Sequence, residues 1–217
     1  WETAGSLDGG RRVWALARIP GVGNVEHADG RIDEHRRYML ATTAHDGSGA
    51  LQVTPTFVRV VCQNTLNQAT RGNKAGLRIK HTRLVIPNAE AALGTLRDSI
   101  GVTATFADAA RALAVRPFTR IDMGHFAESL ADRVIGKLAA QPTRRAVTMR
   151  TDRIEALVDL FERGVGNAGR DRYDALSAVT EWADHHAPTR GDTERIDSAT
   201  FGALATWKHE ALAMLNV

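Results

Sequence analysis

The sequence predicts an α+β fold: a small antiparallel β-meander in the N-terminal half, with helices segregated to the C-terminal half. Three observations lead there. Residues 11–61, preceded by Gly9-Gly10, carry runs of β-branched and aromatic side chains punctuated by Asp-Gly pairs. Beyond Pro87 the chain turns rich in Ala and Leu, and its apolar residues recur at helical spacing. The 217 residues, 43% hydrophobic and 24% charged, suffice for a sizeable core and exclude wholesale disorder.

Leu7-Asp8-Gly9-Gly10 is a turn signal that joins residues 1–6 to a strand over 11–18, where Val13, Ala15 and Ala17 share a face. Residues 19–35, with Pro20, Gly21 and Gly23, are expected to form a loop. A strand follows over 36–44, then a turn at His45–Gly49 centred on Asp46-Gly47. Residues 50–61 give the strongest strand signal through Val53, Phe57, Val58, Val60 and Val61, and Pro55 assigns it to an edge or a bulge. A short helix is expected over 62–70, a flexible tip at Gly72–Gly76 and a brief strand at Leu77–Ile79.

In the second half an Ala/Leu-rich helical stretch is expected from Pro87-Asn88 to about Ala114, with Gly94 or Gly101 as points of interruption. Thr119, with Asp122 three residues on, caps a helix running to about Leu138, which Pro142 ends. Another helix begins at Thr151 or Asp152 and aligns Ile154, Leu157, Val158 and Phe161. Glycines 164, 166 and 169 mark a loop; helices over 172–186 and 198–216 flank a linker at 187–194. The β-rich part, residues 1–86, and the helical part, residues 87–217, are expected to form one compact domain.

No apolar run approaches the ~18–20 residues that span a bilayer, and no secretory leader pattern opens the chain, so a cytoplasmic protein without a membrane partner is expected. The chain opens on Trp1 rather than Met, and a preceding N-terminal segment is expected. The single cysteine, Cys62, excludes an internal disulfide and an all-cysteine metal site.

Net charge is only +3, but its distribution is uneven. From Gly47 to Ala89, 43 residues, there is no Asp or Glu, while Arg59, Arg71, Lys74, Arg78, Lys80 and Arg83 all fall there. Residues 91–217 balance 16 basic against 17 acidic side chains. Locally unopposed cations create a field that attracts phosphate backbones. The plain alternative is that distant acidic residues neutralise them in the fold.

Other candidates are weaker. His45-Asp46 has the composition of a metal-ligating pair, but adjacent turn residues point apart and Asp-Gly is what a tight hairpin needs. Cys62 beside His81 would make a nucleophile; a buried thiol at a strand end is the commoner arrangement. Gln63 and Asn64 after it suit backbone bonding at a junction, or neutral contacts to phosphate and sugar. Glu181, Asp184 and His185 lie at i, i+3 and i+4, one helical face on which a divalent ion would need further ligands. Residues 164–169 match G-x-G-x-x-G, but after a helix rather than a strand, so they read as an interhelical connection. Trp14, Tyr38 and Phe57 interleave with Arg12, Arg37 and Arg59; strand alternation assigns Trp14 and Phe57 to the core rather than to base stacking.

Several segments carry a resemblance: residues 2–20, ETAGSLDGGRRVWALARIP; residues 38–69, YMLATTAHDGSGALQVTPTFVRVVCQNTLNQA; residues 79–82, IKHT; residues 177–186, SAVTEWADHH; and residues 201–215, FGALATWKHEALAML. In this order and over most of its length the chain resembles the phage/plasmid-like family of domains of unknown function. The resemblance implies a mobile-element context and no assigned catalytic residue. The meander-then-helix order is also similar to the β-β-β-α core of single-strand annealing recombinases, an analogy of fold alone.

The expected function is non-enzymatic binding of nucleic acid, single-stranded DNA foremost, with strand annealing by a homo-oligomer and without cofactor or metal. Arg59, Arg71, Lys74, Arg78, Lys80 and Arg83 would neutralise phosphates, with Gln63 and Asn64 adding neutral contacts. Four to six engaged phosphates on a single strand give a log–log salt slope of about −3 to −4. Two alternatives stand beside it: a metal-dependent enzyme acting on nucleic acid through His45, Asp46, His81 or the Glu181–Asp184–His185 face, and a host-interaction protein of a mobile element.

Overall fold

The computed structural model describes residues 3–46, 50–59, 65–67, 77–79 and 107–217. The α+β expectation holds: an antiparallel sheet occupies the N-terminal half and helices the C-terminal half. The chain divides into two compact units that interleave in sequence.

The first unit is built on the sheet, whose strands follow the order β1-β2-β3-β4-β5, with β6 also on β4. β1 (Thr3–Leu7) and β2 (Arg12–Glu26) pair as the expected hairpin, Gly5 opposite Trp14. Gly9 and Gly10 turn the chain between them at φ 65° and 92°, the left-handed region open mainly to glycine. Trp14 lies half-buried over Gly5, where a Cβ would come within 2.9 Å of its ring. β3 (Ile32–Ala44) pairs with β4 (Leu51–Arg59) in unbroken register from His35↔Arg59 to Thr42↔Gln52. Across the other edge of β4, β5 (Thr65–Asn67) pairs with Thr56–Val58 and β6 (Leu77–Ile79) with Leu51–Val53. The gap between these two short partners falls at Thr54-Pro55, where proline has no N–H to give a neighbour.

Three expectations are corrected here. β4 is neither an edge strand nor bulged at Pro55: β3 pairs with it in unbroken register on one side, and β5 and β6 pair with it on the other. Residues 65–67 form a strand, not a helix, because β4 offers them an open edge. The stretch 19–35 is not a loop: β2 continues through Pro20 to Glu26 and β3 begins at Ile32. Its buried positions do alternate, at Ile19, Gly23, Val25 and His27, and again at Asp33 and His35. Glycine, histidine and aspartate at these positions hide the period-2 pattern from a reading based on hydropathy.

The second unit comprises the hairpin tip, residues 25–33, and the helices. These are α1 (residues 107–114), α2 (Arg120–Ile135), α3 (Arg144–Arg163), α4 (Arg172–Glu181), a π-helical turn (Trp182–His186), α5 (Asp192–Phe201) and α6 (Ala203–Leu215). α2 starts as expected: Thr119 accepts the Asp122 N–H and the Asp122 carboxylate accepts the Thr119 N–H, a reciprocal capping box. The Thr119 hydroxyl, donating to the same carboxylate at 2.7 Å, and the Thr119 N–H hold the Asp122 carboxyl below its ordinary pKa. α3 starts at Thr143, not Thr151, with Thr143 Oγ1 accepting the Ala146 N–H. Residues 144–149 are all exposed, so these first turns bury no apolar face whose helical spacing would reveal them. The expected final helix is two, parted at Gly202. α4 is buried along Tyr173–Glu181 and forms the centre of this unit. Phe161 packs edge-on to Phe118, which also meets Phe126, and Trp182 lies 5.0 Å from Trp207. Among the described residues no helix is long and apolar enough to cross a membrane.

Candidate functional site

Of the eight residues expected to touch nucleic acid, two fall in the described part. Arg59 is 3% exposed at the end of β4, and Arg78 is exposed on β6 opposite Gln52. Gln63, Asn64, Arg71, Lys74, Lys80 and Arg83 lie outside the described residues, as do Cys62 and His81 and the side chain of Phe57. His45 and Asp46 sit exposed in a turn, His45 donating its N–H to Arg11 O at 2.7 Å.

The Glu181–Asp184–His185 face is not assembled. Ala187 bonds back to Trp182 O, and this widened π turn shifts the helical phase just after Glu181. Glu181 accepts the Val165 N–H at 3.1 Å, whereas Asp184 pairs with buried Lys208 at 2.7 Å. The glycine-rich loop is an interhelical connection, joining α3 to α4. Its amides are already engaged: Val165 with Glu181, and Ala168 and Arg170 with Asp174 Oδ2 at 3.3 and 3.0 Å. Two carboxylates of α4 thus occupy the positions an anionic ligand would take in a phosphate-binding loop.

A buried ionic cluster went unnoticed in the sequence because its members lie up to 144 positions apart. His27, at the hairpin tip, contacts Asp171 Oδ2 through Nδ1 at 2.6 Å and Asp33 Oδ2 through Nε2 at 3.1 Å. Burial opposes charge on this ring, but the bonds to Asp171 and Asp33 outweigh it and push its pKa up to about 9. Arg31 clamps Asp174 with both terminal nitrogens at 3.1 Å and holds Asp29 through Nε at 2.9 Å. Asp171 also caps α4, accepting the Asp174 N–H at 2.8 Å.

His27, Asp171 and Asp174 present ligand atoms within 4.8 Å of one another, a spacing compatible with a metal ion. Arg31 Nη2, however, lies 3.2, 3.2 and 3.1 Å from those same three groups. The guanidinium supplies the positive charge that a metal would bring, and both imidazole nitrogens face carboxylates. The cluster ties the hairpin tip to the start of α4; it is a structural tether.

Exposed basic residues surround the turn between α2 and α3. Between Asp132 and Asp152 the sequence has no acidic residue but has Arg133, Lys137, Arg144, Arg145 and Arg150. Arg133 pairs with Glu210, and Arg150 with Asp132 and the Glu128 carbonyl. Lys137, Arg144, Arg145 and Arg153 have no hydrogen-bond or ion-pair partner among the described residues, and Arg153 Nε is shielded from solvent. Arg144 and Arg145 stand in the first turn of α3, which has no acidic residue. Cations there oppose the helix dipole, and a bound anion would relieve that conflict. Beside them lies a cleft of about 420 Å³, lined by the apolar Ile135, Leu138, Pro142 and Met149 and by the cations Lys137, Arg150 and Arg153. This short acid-free run was legible in the sequence, but a charge balance taken over the whole second half averages it away.

Residues 1–200 match the family described as a domain of unknown function, DUF932. The chain belongs to the DUF932 family. No curated protein and no solved structure matches it. The DUF932 match covers the sheet, the His27 cluster and the α2–α3 turn, and it ends before α6, which supplies Trp207 and Lys208 to the core.

Proposed function

We propose that this DUF932 chain is a non-enzymatic nucleic-acid-binding protein of a phage, prophage or plasmid, gripping single-stranded DNA through its backbone and promoting strand annealing. One observation carries the reading: four cations without partners among the described residues, Lys137, Arg144, Arg145 and Arg153, gather around the α2–α3 turn. Exposed Arg78, within the longer acid-free stretch, supports it as a second cationic feature. Phosphate contacts carry no sequence information, so binding is sequence-tolerant. The analogy with annealing recombinases adds the order of meander then helices.

The test is the salt dependence of binding to a labelled oligothymidylate. Four engaged phosphates give a log–log slope of about −3, and K137A/R144A/R145A should flatten it by about 2. A flat response, or a triple variant with the original slope, overturns the reading. R78A/K80A tests the other stretch: affinity should fall while the thermal melt is unchanged. Annealing requires assembly of copies, so light scattering that finds a monomer with and without DNA removes the annealing part.

A further inference from the structure

Resting on that reading, we infer that the α2–α3 cleft is a base pocket: it takes an unstacked nucleobase against its apolar lining and the Arg153 guanidinium, while Lys137, Arg144 and Arg145 hold the flanking phosphates. A site for backbone alone needs cations and nothing more. Here the cations border an apolar surface left open to water, with Ile135 48%, Leu138 41% and Met149 43% exposed. Covering such surface is favourable, and aliphatic and methionine side chains are used against base faces wherever a base leaves its stack. An arginine plane serves as a further stacking surface. Arg153 suits that role, since its Nε is already shielded and no carboxylate holds its head. The cleft volume, about 420 Å³, lies within the range of small-ligand pockets, roughly 300–1,000 Å³.

The arrangement selects against duplex. A paired helix offers phosphates to Lys137, Arg144 and Arg145 but keeps its base faces stacked, leaving Leu138 and Met149 uncovered. Single strands with accessible bases satisfy both surfaces at once.

The experiment compares the full chain on three probes of equal length: labelled oligothymidylate, an abasic deoxyribose-phosphate strand and a duplex. Loss of one stacked base is worth roughly tenfold in affinity, so the abasic strand and the duplex should each bind about tenfold more weakly. L138S/M149S should bring oligothymidylate down to the level of the abasic strand. Both positions are exposed, and an unchanged thermal melt verifies folding; R153Q provides a second variant with the same expected loss. Equal binding of oligothymidylate and the abasic strand, both salt-dependent, overturns the base pocket and leaves the backbone reading standing. A duplex bound as tightly as the single strand likewise defeats the pocket. Failure of every probe to bind overturns both.

Discussion

Replacing His27 by glutamine removes a buried, doubly hydrogen-bonded imidazolium, and the effect on stability should depend on pH in a defined direction. The folded protein raises the imidazole pKa from an ordinary 6.5 to about 9, through Asp171 and Asp33 and against the cost of burial. Folding therefore tightens proton binding. The stabilisation from this proton is fully present below pH 6.5 and disappears as pH rises through 9. At ~1.4 kcal/mol for each tenfold change in proton affinity, it amounts to about 3 kcal/mol at pH 6, about 2 at pH 7.5 and under about 0.5 at pH 9. Urea unfolding followed by the fluorescence of buried Trp182 and Trp207 measures it in wild type and H27Q at those three pH values. Titrations of groups remote from the cluster cancel in the difference between the two proteins. The gap between their stabilities should shrink by between 2 and 3 kcal/mol, roughly, from pH 6 to pH 9. A gap that stays constant, or widens toward alkaline pH, refutes the tether as a proton-holding cluster. An imidazole resonance for His27 titrating near 6.5 would do the same.

Three further predictions follow from single contacts. K208M removes the buried ammonium that pairs with Asp184 at 2.7 Å and should cost about 3–5 kcal/mol in urea unfolding, while D184L/K208M should recover most of the loss; a mild single-variant effect would show the pair to be dispensable. G169A forces a side chain into φ 65° with its Cβ 3.3 Å from Glu162 Cα, and should lower stability by about 1–3 kcal/mol; an unchanged melting temperature would contradict that geometry. T119A removes the capping box of α2 and should cost about 1 kcal/mol, measured the same way, with T119S retaining most of the stability. If the serine variant loses as much as the alanine one, the cap is not the cause.

Local grammar made much of this protein legible from its residues alone. The Gly9-Gly10 turn, the Thr119–Asp122 cap and the apolar spacing of Leu157, Val158 and Phe161 each act within a few positions, where backbone stereochemistry and helical period leave few choices. The division into a sheet half and a helical half follows from the same short-range signals. What tertiary structure decided lies where inward positions are not apolar. β2 runs on past Pro20 with Gly23 and Val25 at inside positions, and Glu181 serves as an acceptor for the Val165 amide because the π turn and a buried α4 direct it there. His27 meets Asp171 across 144 positions, a pairing no local pattern encodes, since its energy comes from desolvation and charge at a site that exists only once the chain has folded.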